Sequence, residues 1–289
     1  MSHRAYRPRR SVLYMPGANA KALEKAKSLP ADALILDLED AVAPEAKAQA
    51  RAAVAAMVAQ RPYGPREVIV RVNALGSPWG EEDLAAIAGA GADAVLFPKI
   101  DGPEDVEAAA AALARAGAAT LPFYVMIETP RAVLALRDIA AASARTALAG
   151  FVVGANDLAK DLRARATPDR QAFLAALSMT VLAARAYGLI AIDAVFNDVQ
   201  DAAGLEAECA QGAALGFDGK SLIHPSQIEA ANRAFSPAPE EIAHALAVIA
   251  AFAAPENAGL GVLKVNGRMV ERLHLEEARR LAAIAAALA

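Results

Sequence analysis

The sequence predicts a closed (β/α)8 barrel, a TIM barrel with a C-terminal helical extension. Short apolar, β-branched runs alternate with longer alanine-rich stretches of helical spacing, and roughly eight such units fill about 230 residues. The runs are nearly continuous in apolar residues, as in a parallel sheet covered on both faces. A doubly wound open sheet is the competing architecture, but no GxGxxG turn follows the first predicted strand.

The predicted strands share a short apolar core, and a helical stretch follows each of them. In chain order they are SVLYMPG (11–17), ALILDLED (33–40), VIVRVNA (68–74), AVLFPKI (94–100), FYVMIET (123–129), GFVVGANDL (150–158), LIAIDAVF (189–196) and GFDGKSLIHP (216–225).

The barrel domain is predicted over residues 1–235 and the extension over 236–289. Two prolines in SPAP, at 236–239, interrupt helical spacing and mark the boundary. Beyond it we predict a helix over 240–254, a hairpin-like or irregular piece in VLKVNGRMV, and a final amphipathic helix in HLEEARRLAAIAAALA.

Composition excludes several classes of protein. The chain of 289 residues is 56% hydrophobic and 21% charged, which is typical of a globular protein with ample core. A net charge of -4 gives no reason to expect nucleic acid or an anionic membrane as a partner. The longest apolar run, 245–254, is far shorter than the roughly 20 residues that span a bilayer. The single cysteine, Cys209, allows no intrachain disulfide and fits a reducing compartment, so we expect a cytoplasmic protein.

Polar residues gather at the C-terminal ends of the predicted strands. Each alone has a structural explanation, such as a helix cap, an ion pair or a turn. In a barrel, however, all these ends open onto one mouth, which is where barrel active sites lie. We therefore predict a functional mouth, with Asp37, Glu39 and Asp40 as supporting residues. The strand-end residues are Asp37, Glu39, Asp40, Arg71, Asn73, Lys99, Asp101, Glu128, Asn156, Asp157, Asp193 and His224.

The carboxylates of Glu128 and Asp157 predict a magnesium site. They end the fifth and sixth predicted strands, which are neighbours in a barrel, so one ion can reach both. Mg²⁺ takes oxygen ligands and needs only one or two protein carboxylates. Zinc is disfavoured because the four histidines show no HxxxH or HExxH spacing.

Such an ion can chelate a 2-oxo or 2-hydroxy acid, with Arg71 as the clamp for a substrate carboxylate or carbonyl. These residues indicate aldol-type cleavage or enolate chemistry. Phosphoryl transfer stays open on the residues alone, although the sequence has no P-loop.

Near the N-terminus, PGANAKALEKAK begins a helix that places Lys21 and Lys25 on one face through i, i+4 spacing. Spacing alone favours a solvated helix face. The functional alternative is a phosphate clamp for an anionic handle such as coenzyme A.

Eight stretches, in order from about residue 10 onward, together resemble the citrate lyase β-subunit-like family, the HpcH/HpaI aldolase/citrate lyases. They are RSVLYMPGANAKALEKAK, ALILDLEDAV, VRVNALGSPWGEEDL, VLFPKI, MIETPRAVL, GANDLA, AIDAVFND and GFDGKSLIHPSQIEAANRAFSP. The resemblance implies a Mg²⁺-dependent enzyme acting on an acyl-CoA substrate. It also implies a homotrimer, or a dimer of trimers, in which the C-terminal segment covers the neighbouring subunit's active site.

The resemblance also assigns roles to residues. It implies that Glu128 and Asp157 bind Mg²⁺ and that Arg71 contacts the substrate. The positions that it implies for contacts to the CoA portion are Tyr14, Lys21, Lys25, Ile223 and His224.

The chain departs from the family's lyases at one position. Those lyases carry an acid/base aspartate in a motif like NGKMID, whereas VNGRMVERLH offers Glu271. The leading expectation is a lyase that cleaves malyl-CoA or citramalyl-CoA to acetyl-CoA and a 2-oxo acid, with Glu271 as the acid/base and Arg71 as the catalytic residue that stabilises the oxyanion. A thioesterase that hydrolyses (S)-malyl-CoA is the alternative, because that branch of the family also carries glutamate. A non-catalytic CoA-ester binding subunit is the third reading.

Overall fold

The computed structural model describes residues 7–288 of the chain. Eight parallel strands form a closed barrel in which each strand pairs with the next and the eighth pairs with the first, so the predicted fold class is confirmed. The strands are β1 Ser11–Pro16, β2 Ala33–Asp37, β3 Glu67–Arg71, β4 Ala94–Phe97, β5 Phe123–Ile127, β6 Leu148–Val153, β7 Ile190–Asp193 and β8 Gly219–Leu222.

The connections between the strands are mostly helical. They comprise α1 Ala20–Lys25, α2 Lys47–Gln60, α3 Gly80–Ala88, α4 Pro103–Arg115, α5 Pro130–Leu134, α6 Leu136–Ala141, α7 Ala155–Leu162, α8 Leu174–Tyr187, α9 Ala202–Leu215 and α10 Ile228–Ala234. No helix of residues 7–288 is long and apolar enough to cross a bilayer.

Several predicted strands extend too far at their C-terminal ends. The second was predicted to residue 40 but ends at Asp37, and the eighth was predicted over 216–225 but spans Gly219–Leu222. The polar residues that follow each strand turn out of the sheet, because a turn gives their backbone groups other hydrogen-bond partners.

Side-chain alternation along the strands separates two cores. On β2, Ala33 and Ile35 belong to the cluster inside the barrel, whereas Leu34 and Leu36 belong to the cluster beneath the surrounding helices. Both faces are buried, which explains the nearly continuous apolar pattern. By the same alternation, the side chain of Asp37 at the end of β2 faces the inside of the barrel, at its mouth.

A second compact unit contains residues 7–8 and 236–288 among those the structure describes. It holds α11 Pro239–Ala253, the antiparallel pair β9 Val262–Val265 and β10 Arg268–Glu271, and α12 Arg272–Leu288. The turn between β9 and β10 is Asn266-Gly267, with φ of 48° and 80°, a combination that favours a tight hairpin. Residues 1–6 of the predicted barrel domain and residue 289 of the predicted extension lie outside the described residues.

Gly219 allows the barrel to close. It precedes Lys220, which pairs with Ser11 of β1, and a Cβ at Gly219 would lie 1.8 Å from the carbonyl oxygen of Arg9. That separation is far below any real carbon–oxygen contact, so only glycine permits this approach of the two chain segments.

We expect Gly219→Ala to lower the free energy of unfolding by about 3 kcal/mol or more, because the backbone at Arg9 must move. Gly89→Ala is the matched control, since Gly89 has a φ of -95° and a Cβ there meets no atom within 4 Å. Urea denaturation of both variants measures the difference. Equal stability of the two variants would contradict this account of the barrel closure.

Candidate functional site

A cavity of about 400 Å³ opens at the C-terminal ends of the barrel strands. It collects polar side chains from several strands around an apolar floor that includes Met126 and Val153. The residues predicted from the sequence that line it are Tyr14, Asp37, Asp40, Arg71, Glu128, Asn156, Asp157 and Ile223.

Arg71 is the central cation of this cavity, and Asp37 holds it. The strand register places Asp37 opposite Arg71, and the guanidinium donates from Nε and Nη2 to the two carboxylate oxygens, both at 2.7 Å. The guanidinium also lies over the Tyr14 ring, 5.0 Å from its centre. Arg71 is only 7% exposed, so its orientation is fixed before any ligand binds.

Asp37 also organises the turn after β2. Its two carboxylate oxygens accept from the backbone N–H groups of Glu39 at 2.9 Å and Ala41 at 3.1 Å. An ion pair was one of the structural explanations open for the strand-end residues, and the structure pairs Asp37 with Arg71. One buried carboxylate therefore fixes both the arginine and the loop beside it.

Lys47 holds the same turn from behind. Its buried ammonium donates to the carbonyl oxygens of Leu38 and Glu39, both at 2.8 Å, and to Asn73 Oδ1 at 2.7 Å. It also lies 5.2 Å from the centre of the Trp79 ring. All three ammonium hydrogens are used, which makes this a rigid support rather than a ligand-binding group.

Glu39 lies at the edge of the site, near Arg71. Its Oε2 is 2.8 Å from Arg71 Nη1, but among residues 7–288 this buried oxygen accepts no hydrogen bond of good geometry. Burial raises the pKa of Glu39 to about 7, against the opposing effect of Arg71, and the nearby Asp40 carboxylate adds to the rise. Asp40 is more exposed and lies 3.6 Å from Arg71 Nη1.

Glu128 and Asp157 face each other across the ends of β5 and β6. Glu128 is 2% exposed, and burial raises the pKa of its carboxyl group. Its side chain fits because residue 154 is glycine: a Cβ at Gly154 would lie 2.7 Å from Glu128 Oε2. Asp157 is in the first turn of α7 and is one-third exposed.

Lys99 joins these two carboxylates. Its ammonium lies 3.3 Å from Glu128 Oε1 and forms an ion pair with Asp157 Oδ2. Its backbone N–H also donates to Glu128 Oε1, at 2.7 Å. From the sequence Lys99 was only one of the strand-end polar residues, and its place between the predicted metal ligands was missed. Its position two residues after β4, next to β5, which Glu128 directly follows, was the available signal.

The carboxylate pair fits a magnesium ion. A single cationic group, the Lys99 ammonium, reaches both Glu128 and Asp157, so one metal ion can do the same. Among the described residues no group of three or more histidine, cysteine or acidic side chains is arranged to hold a metal. Mg²⁺ suits a site of this kind, in which two carboxylates bind the ion and water or substrate fills its other coordination positions.

The residues expected at the CoA portion are spread more widely. Tyr14 and Ile223 line the cavity, and Ile223 is 42% exposed. Lys21 and Lys25 lie on α1 as predicted, exposed, and outside the cavity lining. His224 is exposed and begins a 3-10 turn, where its Nδ1 accepts from the backbone N–H of Ser226 at 3.2 Å.

Two residues predicted at the mouth are buried in other networks. Asn73 binds Lys47 and donates to Asp83. Asp193 is fully buried, where it accepts from Arg170 at 2.8 Å and lies 3.3 Å from the Lys220 ammonium. Neither side chain lines the cavity, so neither is placed to contact a ligand there. In both cases a buried partner distant in sequence takes the side chain, and the strand pattern carries no sign of that partner.

Glu271 belongs to the second compact unit. It is the last residue of β10, and its backbone N–H donates to His274 Nδ1 at 2.9 Å, which closes the first turn of α12. Val270 beside it points into the small core of that unit, so Glu271 and Met269 share the exposed face of the hairpin. The ordering contact from His274 was not predicted.

A parallel barrel with an acidic pair and a clamped arginine at its mouth has the arrangement of a barrel enzyme. The sequence profile of the HpcH/HpaI aldolase/citrate lyase family matches residues 10–225. The chain therefore belongs to this family, as its motifs predicted.

Known proteins resemble the chain over nearly its whole length. It is 49% identical over 289 residues to the (3S)-malyl-CoA thioesterase of Cereibacter sphaeroides (strain ATCC 17029 / ATH 2.4.9), covering 100% of this chain and 98% of that one. It is 39% identical to citrate lyase subunit beta of Escherichia coli (strain K12), covering 96% and 94%. The crystal structure of CitE from Mycobacterium tuberculosis in complex with magnesium, acetoacetate and coenzyme A is 33% identical. The match covers 96% and 97% of the two chains, with a TM-score of 0.74.

The pKa of Glu39 predicts how stability depends on pH. Its ordinary value is 4.5 and its folded value is about 7. Between these pH values the folded state holds a proton that the unfolded state has released, so the free energy of unfolding falls as pH rises. We expect Glu39→Gln to reduce the loss of stability between pH 5 and pH 8 by about 1–3 kcal/mol.

Urea unfolding at both pH values, in the presence of a chelator, measures this effect. Glu45→Gln is the control, because Glu45 is an exposed carboxylate in the 3-10 turn just before α2. A Glu39→Gln variant that loses as much stability as the unmodified protein would contradict the assignment.

Proposed function

We propose that the chain is a Mg²⁺-dependent thioesterase that hydrolyses a (3S)-malyl-CoA-type substrate to malate and coenzyme A. The observation that carries the proposal is Glu271, where the lyases of the family carry the shorter aspartate. The 49% identity to a (3S)-malyl-CoA thioesterase over the whole chain supports it.

The cavity suits the acyl part of such a substrate. Glu128 and Asp157 hold the metal in this proposal, and bound Mg²⁺ would polarise the substrate oxygens that it contacts. Arg71 keeps Nε and Nη2 on Asp37. In this proposal its Nη1, which lies 2.8 Å from Glu39 Oε2 without a hydrogen bond of good geometry, turns to the terminal carboxylate of the malyl group. Met126 and Val153 add apolar side chains to the lining of this cavity.

The exposed lysines suit the CoA part. Lys21 and Lys25 lie one helical turn apart on α1, and within residues 7–288 neither forms an ion pair with a carboxylate. Two exposed ammonium groups without acidic partners attract phosphate groups. Ile223 at the cavity edge offers an apolar contact to the chain that joins the phosphates to the thioester.

Glu271 supplies the general base in this proposal. Its carboxylate takes a proton from a water molecule as that water attacks the thioester carbonyl carbon. The carbon–sulfur bond then breaks, the CoA thiolate leaves and takes up the proton that Glu271 accepted, and the acyl group is released as malate. His274 accepts from the Glu271 backbone N–H, which orders the main chain at the end of β10.

The surroundings of Glu271 support action on a neighbouring subunit. Val262 and Met269 share its face of the hairpin, and Leu273 follows it, with 46%, 67% and 61% exposure. A carboxylate among exposed apolar side chains is suited to a surface that becomes covered. We therefore place this face over the active site of the next subunit in a homotrimer or a dimer of trimers.

Carbon–carbon cleavage is the second candidate, favoured by the 39% identity to citrate lyase subunit beta. A base removes the proton of the 3-hydroxyl group, the bond between C2 and C3 breaks, and malyl-CoA yields glyoxylate and the enolate of acetyl-CoA. Glu271 then protonates that enolate. The same metal and arginine serve both reactions, so the products decide between them.

The test is to incubate the purified protein with (S)-malyl-CoA and Mg²⁺ and to follow free thiol and glyoxylate in the same tube, with a chelator control. Thiol and malate without glyoxylate support the thioesterase. Glyoxylate without thiol establishes the lyase and overturns the leading proposal. Tight binding of the CoA ester without any product would instead support a non-catalytic binding subunit.

The metal ligands give a direct mutational prediction. We expect Glu128→Gln and Asp157→Asn each to lower Mg²⁺-dependent turnover about 100-fold or more, because each removes a negatively charged ligand. Asp161→Asn is the matched control, since it removes an exposed carboxylate from the same helix as Asp157. Circular dichroism should show that all three variants fold, and full activity in Glu128→Gln would remove that residue from the metal site.

Substitutions at Glu271 should change which product the enzyme forms. If the extra methylene directs the carboxylate to a hydrolytic water, Glu271→Asp should lower the ratio of thiol to glyoxylate about tenfold or more, and Glu271→Gln should abolish both products. Glu276→Asp, an exposed position on α12, controls for general effects on that helix. An unchanged product ratio in Glu271→Asp would show that this position does not select the reaction.

A further inference from the structure

We propose that Lys99 is an internal counter-ion that competes with the divalent metal for Glu128 and Asp157. This inference rests on the metal site of the proposed function and adds a role for a residue outside the metal ligands. Lys99 then sets the metal affinity of the site and stabilises the protein when no metal is bound.

The ammonium of Lys99 occupies the position where a shared cation interacts with both carboxylates. It lies 3.3 Å from Glu128 Oε1 and is paired with Asp157 Oδ2. A divalent ion bound by the same two carboxylates would face the ammonium at close range, and two cations at such a distance repel. Metal binding therefore requires the ammonium to leave.

The backbone at Lys99 is built for this contact. Its φ is 56°, in the left-handed region that residues with side chains seldom adopt. In this conformation the Lys99 N–H donates to Glu128 Oε1 at 2.7 Å, so main chain and side chain of one residue bind the same carboxylate oxygen. The main-chain bond can orient Glu128 whether or not the side chain stays.

The charge balance explains why a counter-ion is needed. Glu128 is 2% exposed and Asp157 is one-third exposed, so their mutual repulsion is only partly screened by water. A lysine offsets it with a single charge, which a divalent cation with two charges can displace. The Lys99 side chain is 41% exposed, and its flexible stem gives the ammonium a route to solvent.

The test measures metal binding by isothermal titration calorimetry with Mg²⁺ alone. We expect Lys99→Met to bind Mg²⁺ about tenfold more tightly than the unmodified protein, because the competing cation is gone. In the presence of a chelator the same variant should melt at a lower temperature than the unmodified protein, and saturating Mg²⁺ should narrow that difference.

Further variants separate charge from backbone effects. Lys99→Gly also removes the ammonium, and glycine accepts a positive φ without strain. It should also tighten Mg²⁺ binding, and it replaces Lys99→Met in the test if that variant does not fold. Lys160→Met removes an exposed lysine from α7, the helix of Asp157, and should leave the affinity within about twofold.

The outcomes distinguish this inference from the proposed function. One outcome overturns the counter-ion role alone: Glu128→Gln abolishes Mg²⁺ binding, whereas Lys99→Met and Lys99→Gly leave the affinity for Mg²⁺ unchanged or weaken it. Absence of Mg²⁺ binding in the unmodified protein and in both Lys99 variants overturns the metal site together with it. Equal tightening in Lys160→Met would show a diffuse charge effect and would also overturn the role of Lys99.

Discussion

The candidate site depends on one buried ion pair, between Asp37 and Arg71. Burying a guanidinium is costly unless a carboxylate and hydrogen bonds compensate for the lost water. Asp37 supplies both, because the register of β2 and β3 places it directly opposite Arg71. Since Asp37 also accepts from the turn that follows β2, the position of Glu39 follows from the same contact. The arginine is thus placed by the strands of the barrel and not by a mobile loop.

Charged pairs in other parts of the barrel show two distinct arrangements. Asp193, Glu208, Lys220 and Arg170 are buried together, and Lys220 donates to Glu208 at 2.6 Å as well as to the carbonyl of Ala194. A network satisfied in this way stiffens the barrel and offers little to a ligand. The groups around Glu128 and Asp157 differ because one member, Asp157, remains open to solvent. Exposure, and not the presence of charge, separates the candidate site from the structural network.

The barrel and much of its mouth could be predicted because both rest on local patterns. Apolar runs located the strands, and residues that directly follow a strand, such as Glu128, were placed correctly in the cavity. The partners of these residues could not be predicted in the same way. Lys47 reaches Asn73 across 26 positions of the chain, and Lys220 reaches Asp193 across 27. Such contacts depend on tertiary packing, and the periodicity of a single segment contains no information about them.

The support behind the turn after β2 also gives the molecule a natural optical reporter. Trp79 is the only tryptophan in the chain, and the ammonium of Lys47 that holds the carbonyls of Leu38 and Glu39 lies near its indole ring. Indole emission responds to the field of a nearby cation. Any movement of this turn should therefore change the intrinsic fluorescence, without a label and without a chromophore in the ligand. Because the turn adjoins Arg71, the emission of Trp79 would report any rearrangement of the turn that accompanied ligand binding.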